Sequence, residues 1–245
     1  MYAQCEDDFA RVEMNYIEKL GRMSEVKGEK ELAYDLYIKL LIDENEAKED
    51  YKTAPIWLKK LLNAYADGIN YFLKKHPEVK PRLITHFEPW YPLLWTDGSI
   101  GAISTGDVTE QETALFYGLP AQMASVKYQN PDEKLTGSNG FAVGPNRSKS
   151  GHSLLYINPH VTFYFRPEVH VVSEEGLSVY GAVTWGQFFV YQGFNPYNGW
   201  MHTSSEVDVA DAYVETTRSR NGKMEYLLDG KWIPFRTKII SLGAR

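Results

Sequence analysis

Apolar positions in the first 75 residues recur at steps of three and four. Phe9, Val12, Tyr16, Ile17, Leu20 and Met23 form one stripe with Glu and Arg between them, which predicts an amphipathic helix ending near Gly21. Leu32, Leu36 and Leu40 repeat the spacing, and the acidic run from Asp43 to Asp50 predicts a solvated face and a turn. Thr53-Ala54-Pro55 predicts an N-cap and an early proline ahead of a third stripe, Leu58, Leu61, Leu62, Tyr65, Ile69, Phe72 and Leu73. His76-Pro77 ends that stripe, because a proline disfavours helical geometry in the residue before it.

Residues 76–98 interleave Pro77, Pro81, Pro89 and Pro92 with Phe87, Trp90, Tyr91 and Trp95, which predicts an ordered aromatic loop pinned by its rings. Thr109-Glu110-Gln111-Glu112 has the capping-box pattern and opens a short helix through Tyr117, closed by Gly118 and Pro120. The polar stretch Gln129 to Lys134 is the best linker candidate. Beyond it the hydrophobic period falls to two. Phe141-Ala142-Val143, Ser153 to Ile157, Val169 to Ser173, Leu177 to Val183 and Phe188 to Gln192 read as strands. Glu174-Glu175-Gly176, Asn221-Gly222 and Asp229-Gly230 read as hairpin turns, the last two joining the strand near Arg218 to Met224–Leu228 and then to Trp232-Ile233. Helices first and a β-meander second define an α+β chain, divided as a helical part over 1–119, a spacer over 120–137 and an antiparallel sheet over 138–245.

Composition narrows the function. The formal charge of −6 offers no electrostatic footprint for nucleic acid or an anionic membrane. The single cysteine, Cys5, can form neither an internal disulfide nor a thiolate metal site. No run of 18 or more apolar residues occurs, and the N-terminus lacks the pattern of an export signal. The common nucleotide-binding and zinc-protease motifs are missing, so no organic cofactor is expected.

Thr136-Gly137-Ser138-Asn139-Gly140, where the spacer meets the first strand, is the stretch on which chemistry centres. It misses the G-x-S-x-G nucleophile elbow by one residue, and its serine enters a strand rather than a helix. Taken alone, Ser138 is either a nucleophile or an ordinary turn serine.

Four stretches decide between these. Tyr2-Ala3-Gln4-Cys5-Glu6-Asp7-Asp8-Phe9, Leu62 to Asn70, Gly137 to Pro145 with Asn158-Pro159-His160, and Gly199-Trp200-Met201-His202-Thr203-Ser204 together resemble the penicillin acylase family of N-terminal-nucleophile hydrolases. That family includes the acyl-homoserine-lactone and aculeacin-type acylases. The resemblance implies an αββα sandwich, only part of it present here, and self-cleavage between Gly137 and Ser138. Ser138 would then carry both the nucleophilic hydroxyl and, in its freed α-amine, the base. Gly137 suits the scissile position because it tolerates a strained backbone.

Further roles follow from the same resemblance. His160 would hydrogen-bond around the nucleophile, and the Ser204 N–H would form half of the oxyanion hole. Val161, Phe163 and His202 would line the substrate site, with Tyr164, Phe165, Phe188, Phe189 and Tyr191 supplying either acyl-pocket walls or ordinary sheet core. Asp208, Ala210 and Asp211 match a calcium loop, although two carboxylates and a carbonyl are an incomplete set and a hydrogen-bonded acidic strand fits them equally. The expected substrate is a small N-acyl compound, and the expected location is the periplasm or the medium. Family members run on well past the position of Arg245 and carry there an oxyanion asparagine and a supporting arginine. The chain is thus expected to be a fragment that needs the remainder of its β-chain and is inactive on amides by itself. Two alternatives stand beside this: a noncatalytic module, and a conventional hydrolase built on Ser138, His160 and Asp208.

Overall fold

A computed structural model describes residues 1–94, 109–120, 137–160, 166–203 and 213–245. Among these residues six helices precede nine strands, so the architecture is α+β. The helices are α1 (Tyr2–Lys19), α2 (Ser24–Lys27), α3 (Leu32–Leu41), α4 (Glu44–Thr53), α5 (Ile56–Lys75) and α6 (Glu110–Phe116). The strands are β1 (Gly137–Val143), β2 (Leu154–His160), β3 (Glu168–Val172), β4 (Ser178–Ala182), β5 (Gln192–Phe194), β6 (Gly199–Trp200), β7 (Thr217–Arg220), β8 (Lys223–Leu228) and β9 (Lys231–Pro234). They form three antiparallel sheets, β1-β2, β3-β4-β5-β6 and β7-β8-β9, so the expected meander is broken into three pieces.

The first stripe folds as expected. α1 buries Phe9, Val12, Tyr16 and Ile17. It ends in a Schellman arrangement, with Gly21 N–H donating to Glu18 O and Arg22 N–H to Ile17 O. α5 buries Leu62, Tyr65, Ala66, Ile69 and Phe72, and it stops at Lys75 before His76-Pro77. The capping box at Thr109 is formed in both directions with Glu112. In the loop over 76–94, Phe87 and Leu94 are fully buried and Tyr91 nearly so, so its described rings are core rather than surface.

Four expectations differ from the structure. The acidic run is a helix, α4, capped by the Asp43 side chain accepting from Asn45 N–H at 2.9 Å. Its charges face water while Ala47 alone is buried, a pattern that charge counting reads as a turn. Thr53 closes α4 instead of capping α5; its hydroxyl donates back to Glu49 O at 3.0 Å, and Pro55 occupies the N-cap. Leu40 and Leu61 lie on exposed faces. Finally, Phe188 to Gln192 is mostly irregular, and the strand is Gln192–Phe194, because residues 185–188 are turned inward against the helices.

That inward turn joins the two halves. The Gln4 amide brackets it, its Nε2 donating to Gln187 O at 2.8 Å and its Oε1 accepting from Gly186 N–H at 3.0 Å. Asn15 Nδ2 donates to Trp185 O at 2.9 Å, and the Tyr16 hydroxyl donates to Gly186 O. Gly186 is required there: its φ is +90°, and a Cβ would lie 2.7 Å from the Tyr16 ring. Trp185 belongs to the same core as α1 and α5, and Phe188 packs against it.

Two buried carboxylates organise the loops around the helices. Glu13 accepts from the backbone N–H groups of Arg82, Leu83 and Ile84 at 2.8–3.0 Å. Asp35 accepts from Met23 N–H at 2.8 Å, Ser24 N–H at 2.7 Å and the Ser24 hydroxyl. Asn70 holds both backbone groups of Phe87 at 2.9 Å. Among the described residues no helix is long and apolar enough to cross a membrane.

Replacing Glu13 by Ala leaves three donors without their acceptor, so Glu13→Ala is expected to lower unfolding stability by about 3 kcal/mol or more, read by urea titration. Burial pushes the Cys5 thiol from 9.0 up to about 12. The unfolded thiol ionises first, so stability is present below pH 9.0 and is lost as pH rises towards about 12. At pH 8 iodoacetamide is expected to label folded Cys5 at least about a hundredfold more slowly than the unfolded chain, followed by intact mass.

Candidate active site

β1 and β2 form a two-stranded ribbon whose register sets the site. Gly137 pairs with His160, Ser138 with Pro159 and Asn139 with Asn158. Side chains alternate across a strand, so Ser138 leaves one face of the ribbon while Asn139, Asn158 and His160 leave the other. His160 Nε2 lies 3.1 Å from Asn139 Nδ2 and 3.2 Å from Asn158 Oδ1. One ring nitrogen can accept from the first or donate to the second, so the pair of amides accommodates either protonation state of that nitrogen. The His160 ring thus contacts the side chain of Asn139, the residue after Ser138, and leaves the ribbon on the face opposite Ser138.

The other side of Ser138 is held by the segment after β6. Thr203 Oγ1 donates to Ser138 O at 2.8 Å, fixing the peptide that follows the serine. Met201 lies over β1 so closely that a Cβ at Gly140 would stand 1.7 Å from its Sδ. The segment is itself laced to 190–193: Gly193 pairs with Trp200, Trp200 Nε1 donates to Val190 O at 3.2 Å, and Gln192 Nε2 donates to His202 O at 2.8 Å. The His202 ring sits on Tyr191, with centroids 4.8 Å apart, and the Arg166 guanidinium lies 4.4 Å from the same Tyr191 ring.

The structure therefore brings Gly137, Ser138, His160 and His202 to one end of the β1–β2 ribbon and its neighbour. Ser204, Val161, Phe163, Tyr164, Phe165, Asp208, Ala210 and Asp211 lie outside the described residues, as do Thr136, Trp95 and the linker at 129–134. Among the described residues no group of three or more His, Cys, Asp or Glu could hold a metal ion. Of the aromatic residues expected at an acyl pocket, Tyr191 reaches the site through His202, Phe188 packs against the helical core, and Phe189 is exposed. Sequence reasoning missed Thr203 and Gln192. Thr203 stands inside one of the four characteristic stretches, which is a signal; a glutamine at the start of a short strand carries none.

Helices followed by antiparallel sheets, with Gly137 and Ser138 as the first two residues of β1, are compatible with the family that comparison with known proteins identifies. The penicillin amidase family profile matches residues 1–244, and the chain belongs to that family. It is similar to an acyl-homoserine lactone acylase QuiP of Pseudomonas putida, 24% identical over 89% of this chain and 32% of the relative. It is also similar to an acyl-homoserine lactone acylase PvdQ of Pseudomonas fluorescens, 24% identical over 100% of this chain and 35% of the relative. A second P. fluorescens PvdQ is 31% identical over 52% of this chain and 17% of its own length. The chain spans about a third of the length of the curated relatives it matches.

The contact between β1 and Met201 is testable. Gly140→Ala is expected to cost about 1–3 kcal/mol of stability through overpacking, and Met201→Ala in the same background to recover most of it, measured as a double-mutant cycle.

Proposed function

We propose that this chain is part of an acylase that hydrolyses a linear amide of a small N-acyl compound, an acyl-homoserine lactone or a penicillin, with Ser138 as the N-terminal nucleophile. The observation that carries the proposal is the family match over 1–244 together with Ser138 at the head of β1, its carbonyl held by Thr203. In this reading the bond between Gly137 and Ser138 is cut and the Ser138 α-amine is freed. An α-amine has a reference pKa of about 7.7–8.0, so near neutral pH a useful fraction is unprotonated and can take the hydroxyl proton. The Ser138 oxygen attacks the amide carbonyl, the amine passes the proton to the leaving nitrogen, and water hydrolyses the acyl-enzyme.

The backbone N–H of Ser204 is assigned to the oxyanion, and a second donor is assigned to the part of the protein that the relatives carry beyond the span matched here. The whole would form the αββα sandwich of its class and act in the periplasm or the medium. Asp208, Ala210 and Asp211 remain the proposed structural calcium loop. The β1–β2 register disfavours the conventional Ser138/His160/Asp208 alternative, since the serine and the histidine leave opposite faces of the ribbon.

Expressed from its complete reading frame, the protein is expected to yield two chains with the break before Ser138, seen by denaturing gel and intact mass. It is expected to release free acid from N-acyl-homoserine lactones or penicillins. Ser138→Ala should abolish cleavage and lower turnover by at least about a thousandfold. Purified 1–245 alone should not turn over amides. An uncut, ester-hydrolysing protein would instead establish the conventional triad, and an uncut, inert one the noncatalytic module.

A further inference from the structure

Gln192 is 2% exposed and begins β5, a strand of three residues. Its Nε2 donates to His202 O, while its Oε1 is buried and has no hydrogen-bond partner among the described residues. Buried amides are ordinarily satisfied at both ends, and an apolar side chain would serve simple packing without that cost. What Gln192 does hold is one peptide group, and that group belongs to the segment whose next residue, Thr203, donates to Ser138 O at 2.8 Å. On one side of Gln192, the Tyr191 ring makes a tilted contact with the His202 ring; on the other, Gly193 pairs with Trp200. The 191–193 segment thus grips 200–203 by ring, side chain and backbone, and 203 grips the nucleophile.

From this geometry we infer that Gln192 is a positioning residue of the Ser138 site. It acts through His202 O and Thr203, holding the Ser138 carbonyl, and with it the freed amine and hydroxyl, in the attacking orientation. The inference rests on the reading of Ser138 as nucleophile. A misplacement of about 1 Å at reacting atoms lowers turnover far more than it lowers substrate binding, so the residue should show in kcat and not in KM.

The test uses the full-length processed enzyme, with turnover expressed per active site titrated by phenylmethylsulfonyl fluoride and counted by intact mass. Gln192→Met removes donor and acceptor at similar volume, and Gln192→Glu keeps the shape but loses the donor. Both are expected to lower kcat per titrated site roughly tenfold or more, with KM within about twofold of the parent. Because the effect runs through Thr203, Gln192→Met combined with Thr203→Val should be no worse than the more severe single variant. Unchanged kcat per titrated site in both single variants would overturn the inference, as would losses that multiply in the double variant. If Ser138→Ala in the parent leaves cleavage and activity intact, the nucleophile reading has failed and the inference falls with it, an outcome recognisable without any Gln192 variant.

Discussion

The structure depends on the docking of α1 against the 185–187 turn. Four side-chain hydrogen bonds from Gln4, Asn15 and Tyr16 take up backbone groups of that turn, and those of Gln4 and Tyr16 are buried. Buried backbone groups must find partners, so a turn that leaves the sheet to enter a helical core needs polar side chains waiting for it. α1 supplies them in sequence: Gln4 at its start, Asn15 and Tyr16 near its end. The Tyr16 ring also closes over Gly186, and Tyr16 in turn packs on Tyr65, Phe87 and Tyr91.

From that turn a short path leads to the chemistry. Residues 185–188 anchor in the core, 190–193 grip 200–203, and Thr203 and Met201 rest on β1 beside Ser138. The helices fix the 185–188 turn, and the segment that follows it leads to the residues that rest on β1. If the chain is cut before Ser138, nothing in this path is broken, since every contact between α1 and the turn joins residues on opposite sides of the cut. Glu13 and Asp35 each replace a set of missing backbone partners with one carboxylate, and the Ser24 that Asp35 holds also meets the C-terminal segment at Gly243 and Arg245.

The four stretches that mark the family acquire distinct physical meanings. In the first, Gln4 and Phe9 face the turn and the core. In the second, Tyr65 and Ile69 are buried, and Asn70 clamps the aromatic loop through Phe87. The third and fourth, β1 with Asn158–His160 and the run from Gly199, form the strand pair that carries Ser138 and the segment that lies on it. Two of the four therefore belong to the helical scaffold and two lie around Ser138, a division their composition does not reveal.

The α+β order, the helical stripes of α1 and α5, the capping box, and the hairpins at Asn221-Gly222 and Asp229-Gly230 were legible in the residues alone. These are local: a stripe, a cap or a turn is decided by residues within a few positions of each other. The two hairpin turns carry positive φ at both central residues, as their residue types demand. The sequence also singled out Ser138 and His160. The assembled fold alone makes the acidic run a helix, turns 185–188 inward, places His160 on the face opposite Ser138, and brings Thr203 to Ser138 O and Gln192 to His202 O. Each of these depends on which surface a segment meets. Gln192 and His202 are 10 positions apart, Thr203 and Ser138 65, and Gln4 and Gln187 183. No periodicity or motif encodes contacts at such separations, because what selects them is the burial of polar groups that only the assembled fold brings together.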